Sequence, residues 1–131
     1  MLDQVGYDYA VIRVVPKVER EEFINAGVIV SCPELSFLEA RINLDEARLL
    51  ALDPSLDLDL IRTHLATIPT ICRGGDDAGP IGQLPQRQRF QWLVAPRSTV
   101  IQTSPVHTGR CSDPKKALDH LLATMVDGAT S

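Results

Sequence analysis

The sequence predicts an α+β fold: one domain with a small antiparallel or mixed sheet of about four strands packed with helices. Three observations predict it. The 131 residues suit a single domain. The first third holds β-branched and aromatic runs parted by turn residues, whereas the middle and the end hold apolar residues at helical spacing. The order of these elements lacks the regular strand–helix alternation of a doubly wound parallel sheet.

Taken in order, residues 7–15 read Y-D-Y-A-V-I-R-V-V, a strand composition that Pro16 ends. The charged stretch 18–24 predicts about two helical turns, closed by Asn25 and Gly27, which tolerate a left-handed C-cap. Residues 27–32, G-V-I-V-S-C, predict a second strand, and 33–35 a turn. Residues 37–43 alternate Phe37, Glu39 and Arg41 against Leu38, Ala40 and Ile42, a strand that pairs with its predecessor as an antiparallel hairpin.

Asn43 or Asp45 caps a short helix through Leu52, which Asp53-Pro54 breaks. Ser55 or Asp57 opens a longer helix whose Leu58, Ile61, Leu65 and Ile68 share one face, with Pro69 kinking or ending it. Residues 73–83 hold four glycines and a proline and read as the longest loop of the chain. Residues 84–95 fit both periods, and the helix is taken. Residues 99–106 predict an edge strand interrupted by Pro105. Asp113-Pro114 then starts a final helix, with Leu118, Leu121, Leu122, Met125 and Val126 as its buried stripe and Gly128 as its stop. Residues 1–131 are taken as one domain with no repeat and no linker, and 127–131 as a frayed tail.

The formal net charge is −4, from 13 basic and 17 acidic residues, which argues against nucleic-acid binding. The charge is uneven: residues 1–72 carry −6 and residues 73–110 carry +3, a stretch that suits either an anion site or a solvated basic face. Cys32, Cys72 and Cys111 are widely spaced and odd in number, so neither a metal motif nor a disulfide framework is expected. Free thiols, no apolar leader and no run near the ~20 residues of a membrane span predict a cytoplasmic protein without a membrane role. No cofactor and no metal are expected.

Three groups of residues are candidates for chemistry. The glycine stretch 74–82 lacks the Gly-Lys-Ser/Thr of a phosphate-binding loop and the G-x-G-x-x-G of a dinucleotide site, although its amides could nest an anion; a structural turn is the plainer reading. Residues 96–111 concentrate Arg97, Ser98, Thr99, Gln102, Ser104, His107, Thr108 and Cys111. Strand alternation would put Ser98, Gln102 and Ser104 on one face, lining a polar pocket or merely facing solvent. His107 and Cys111 stand in H-x-x-x-C spacing, which would admit a nucleophilic pair if the fold joined them. Arg20, Glu21, Glu22 and Asn25 form the third group: Glu21 and Asn25 would share a helix face, and the glutamates would equally serve a helix N-terminus. His107, Arg97 and Glu21 are thus the catalytic candidates. Arg20, Asn25, Arg97, Ser98, Thr99, Gln102, Ser104, His107 and Thr108 are the ligand-binding ones.

The segment Y-D-Y-A-V-I-R-V-V-P-K-V-E-R-E-E-F-I-N-A-G-V-I-V resembles the opening signature of a bacterial family, domain of unknown function 3037. The later A-P-R-S-T-V-I-Q-T-S-P-V-H-T-G resembles its second signature, and the likeness spans about residues 7–126. The matching positions are Arg13, Arg20, Glu21, Glu22, Asn25 and Gly27, then Arg97, Ser98, Thr99, Gln102, Ser104, Pro105, His107, Thr108 and Gly109. The resemblance implies no particular activity. It implies an association of some members with HipA-like kinase proteins, and so a small interaction or accessory protein, either with such a partner or as a homodimer. The alternative is an anion- or nucleotide-binding domain or enzyme that uses residues 74–82 with Arg97, Ser98, Thr99 and His107.

Overall fold

In the computed structural model, residues 3–97 and 99–127 are described. They form an α+β domain around a five-stranded antiparallel sheet. β1 (Val5–Val14) lies at its centre. β2 (Ile24–Cys32) pairs with one side of β1, and β3 (Phe37–Ile42) pairs with β2 in the predicted hairpin. The other side of β1 is shared by two short strands: β4 (Ile101–Thr103) pairs with Ile12, Arg13 and Val14, and β5 (His107–Cys111) pairs with residues 5–9.

The sheet is covered on both faces. Ile12, Val14, Ile29 and Leu38 pack against α1 (Glu46–Leu52), α2 (Leu58–Arg73) and α3 (Gln86–Leu93) through Leu49, Ile61, Leu65, Ile68, Phe90 and Leu93. Val28 and Val30 on the opposite face pack against Leu118, Leu121 and Val126 of α4 (Pro114–Met125) and its end. Strand alternation supplies both faces from the same strands, Ile29 facing one way and Val28 and Val30 the other. Asp45, Asp57 and Asp113 cap α1, α2 and α4 by accepting from the amides of Arg48, Leu60 and Lys115.

Several expectations are corrected. Residues 18–24 are not two helical turns: a single 3-10 turn, Val18–Arg20, ends at Glu21 in the left-handed region, and β2 begins at Ile24. Pairing of Val14 with Ile24 and of Arg13 with Asn25 prevails over local helix propensity, so Asn25 and Gly27 are strand residues and not a helix cap. Glu21 and Asn25 therefore share no helix face. Pro69 does not end α2, which runs on to Arg73 because Ile71 and Cys72 still bury on the core. Residues 76–83 are not an open loop but 3-10 turns broken at Gly79. Residues 107–111 form a fifth strand that the sequence reading did not anticipate. Met125 is 40% exposed and stands outside the buried stripe of α4. Gly128 and the tail beyond it lie outside the described residues.

Candidate functional site

A groove of about 370 Å³ opens between α2, α3 and the segment that leads into β4. Leu56, Leu60, Ile61, His64, Thr67 and Ile68 form one wall at helical spacing, and Trp92 and Leu93 come from α3. The third wall is residues 99–103 with Arg97. Ile61, Ile68 and Leu93 are buried, whereas Leu60 (53%), Trp92 (41%) and Val100 (36%) are exposed around the groove. Scattered exposed apolar residues are ordinary, but three about one groove are the pattern of a binding surface.

The polar side chains of this groove mostly serve its own shape. Arg97 donates from Nη2 to the carbonyl of Trp92 (2.7 Å) and from Nη1 to that of Leu93 (2.9 Å), capping the end of α3. Its guanidinium lies 4.5 Å from the centre of the Trp92 ring, a cation–π contact. The Thr99 hydroxyl donates to the Ile101 carbonyl (2.9 Å), and Gln102 Nε2 donates to the Thr99 carbonyl (2.8 Å). These bonds hold the irregular wall in place.

The remaining sequence candidates are distributed elsewhere. Ser98 lies outside the described residues. Ser104 is buried beside Val11, at the break between β4 and β5. His107 is exposed on β5 with its ring 5.4 Å from that of Tyr9. Val15 bonds Val100 and Tyr9 pairs with His107, so His107 sits about 20 Å along the sheet edge from Val100. Thr108 is exposed opposite Asp8. Arg20 pairs with Glu22 on the surface, and Glu21 is exposed at the left-handed turn. Residues 77, 78 and 81 of the glycine stretch line a shallower depression beside Trp92. Arg97, Thr99 and Gln102 meet in one groove, and His107, Arg20 and Glu21 do not join them. Asn25 and Gln102 instead flank Arg13 across the sheet.

His107 and Cys111 form no pair. Four residues apart on one strand, they sit about 13 Å from each other. The Cys111 thiol is buried, and burial, then the nearby Cys32 and Asp113, push its pKa up. Burial pushes Cys72 up to about 12. Neither is an activated nucleophile. Among the described residues no three His, Cys, Asp or Glu stand together as metal ligands.

The basic stretch 73–110 also turns inward. Arg87 donates to Ser31 Oγ (3.0 Å) and Asp8 Oδ2 (2.6 Å), tying α3 to the sheet. Arg89 donates to the carbonyls of Leu84 (2.8 Å) and Cys72 (3.2 Å), closing the glycine stretch onto the end of α2. Arg110 donates to the carbonyl of Gln4 (3.0 Å). Of the sequence candidates, Arg97, Thr99 and Gln102 line this groove; its apolar half is not among them, because Leu60, Trp92 and Val100 come from three separate segments.

The two signature segments are neighbours: β1 pairs with β2 from the first and with β4 and β5 from the second. Two signature glycines answer to close approach. A Cβ at Gly27 would stand 2.5 Å from the Arg41 carbonyl oxygen, and one at Gly109 would stand 2.5 Å from the Tyr7 ring. No helix among the described residues is long and apolar enough to cross a membrane. No curated protein and no solved structure matches the chain. The model of a family described as a protein of unknown function (DUF3037) matches residues 9–126, most of the chain and both signature segments. On that match, the chain belongs to the DUF3037 family.

Proposed function

We propose that this protein acts by binding: a small bacterial cytoplasmic accessory protein that docks a protein partner in the groove between α2, α3 and residues 99–103, the partner being a HipA-like kinase protein. The observation that carries the docking surface is the gathering of Leu60, Trp92 and Val100, all exposed, about one largely apolar groove. The kinase partner rests on the family resemblance alone. Enzymatic action has weaker support, because the hydrogen-bond donors of Arg97 and Thr99 are turned onto backbone carbonyls and His107 is remote from them. The same placement weakens an anion site built from residues 74–82 with Arg97, Thr99 and His107.

The test is co-expression of the tagged chain with a HipA-like kinase protein from the same genome, read by native mass spectrometry. The wild type is expected to form a stoichiometric complex. Leu60→Asp and Val100→Asp, on exposed positions, are expected to abolish it without lowering the melting temperature. A complex that survives both substitutions would reject the groove, and no complex would reject the partner. A homodimer whose formation needs Leu60 would reassign the groove to self-association.

A further inference from the structure

Arg13 is a charged residue in the central strand of the sheet. A β-bulge in β2 shifts the register between Ile12 and Arg13, so that Asn25 stands opposite Arg13 while Ala26 and Gly27 both turn toward the core side. On the other side of β1, Gln102 of β4 stands opposite Arg13. The row Asn25–Arg13–Gln102 thus crosses three strands on the face that α4 covers only in part, and it joins the first signature to the second.

Arg13 differs from the other half-buried arginines. Arg41 pairs with Asp119, and Arg89 and Arg97 donate to backbone carbonyls. Arg13 makes no hydrogen bond or ion pair among the described residues, and its buried Nε is unpartnered, as are the buried Nε of Arg89 and, in the same row as Arg13, the buried Oδ1 of Asn25. Buried polar groups are nearly always paired, so the unpartnered Nε of this half-buried guanidinium is an exception that asks for a reason. Its Nη groups are not sealed from solvent. The guanidinium carbon lies over the Phe23 ring, 4.2 Å from its centre, a cation–π contact. Asn25 donates one Nδ2 proton to the Met125 carbonyl (2.9 Å) and Gln102 one Nε2 proton to that of Thr99. Each amide keeps a second N–H. Phe23 is itself exposed and presents an apolar surface beside the charge.

We propose that Arg13, flanked by Asn25 and Gln102 and backed by Phe23, binds the oxyanion of a small ligand, a carboxylate or a phosphate. A guanidinium takes either in a planar, two-pronged fashion, and the cation–π contact with Phe23 holds it in place beforehand. The site shares Gln102 with the wall of the α2–α3 groove but none of Leu60, Trp92 and Val100, on which the docking proposal rests, so its failure leaves that proposal untouched.

The test is a titration of the isotope-labelled full chain at constant ionic strength, in three arms: inorganic phosphate, benzoate and chloride. The side-chain N–H signals of Arg13, Asn25 and Gln102 are followed by NMR. A saturable shift of the Arg13 and Asn25 signals with phosphate or benzoate, absent with chloride, is expected, the Asn25 shift being lost in Arg13→Gln; the responding arm names the ligand class. Gln102→Ala, at the sheet edge, is expected to weaken binding and otherwise to perturb only the signals of residues 99–103, whose wall it helps to hold, which covers the case in which Arg13→Gln does not fold. No saturable shift up to about 20 mM of either anion, well past millimolar affinity, overturns the proposal. So does a shift that persists in both variants.

Discussion

Ser104 repairs the sheet edge for Val11. Its amide donates to the Val11 carbonyl (2.8 Å), and its hydroxyl accepts from the Val11 amide (2.9 Å). The hydroxyl proton goes to the carbonyl of Pro105 (2.9 Å). Both polar groups of Val11 are thereby satisfied where Pro105, which has no N–H, parts β4 from β5. A buried donor left without a partner costs about 1–3 kcal/mol. Ser104→Ala is expected to destabilise the fold by that amount and to speed hydrogen exchange at the Val11 amide more than at Ala10 or Ile12. Unchanged exchange at Val11 would show that another acceptor takes over.

Gly109 and Tyr7 face each other across the β1–β5 pair, and the ring of Tyr7 occupies the space a Cβ would need. Gly109→Ala is expected to cost about 1–3 kcal/mol, as overpacking does. Tyr7→Ala removes the obstacle, so the double variant is expected to lose less than the two single losses added. A thermal-melt cycle over the four proteins checks this; strict additivity would separate the two residues.

Trp92 is the only tryptophan and so reports on the groove. Arg97→Ala removes both the cation above the ring and the cap on the α3 carbonyls. A red-shifted emission and a loss of about 1 kcal/mol are expected, the scale of a charge at a helix C-terminus. Arg97→Lys keeps the charge but not the two-pronged bond, and should fall between the two. Emission identical in all three proteins would contradict the stacked geometry.

Asp53 links α1 to α2. Its carboxylate accepts from the Ser55 hydroxyl (2.6 Å) and amide (3.0 Å), and these bonds hold its pKa below the usual carboxylate value. A lowered folded pKa gives stability that is present above the unfolded value of about 4 and is lost as pH falls through the folded value. The melting-temperature gap between wild type and Asp53→Asn is therefore expected to be widest at neutral pH and to close in acid. A gap independent of pH would show that the charge is immaterial there.

The three thiols are buried, and Cys72 in particular is held protonated at neutral pH. A chromogenic thiol reagent at pH 8 is expected to react with the native protein only slowly, through opening, and with all three cysteines after denaturation. A rapid native burst would contradict the burial of at least one.

Much of this architecture was legible in the sequence because it depends on local rules. Alternation in residues 37–43 named a strand, Asp113 named a helix start, and Asp45 and Asp57 were each one of two cap candidates that the structure then selected, since a capping carboxylate acts within three residues of itself. Spacing of Ile61, Leu65 and Ile68 named the buried face of α2, and composition and element order named the α+β class. What the tertiary structure alone decided is long-range. Residues 18–24 have helical composition, yet pairing with β1 drew Ile24 and Asn25 into a strand. His107–Cys111 became a strand because Val5–Tyr9 offered an unpaired edge. The groove took Leu60, Trp92 and Val100 from three segments, and the bulge at Ala26 set Asn25 beside Arg13. Arg97 looked like an anion donor until the fold placed carbonyls within its reach. Except for Arg97, whose carbonyls lie four and five residues back at the end of α3, the deciding partner lies ten or more residues away, where the chain's local preferences carry no information about which surface will be met.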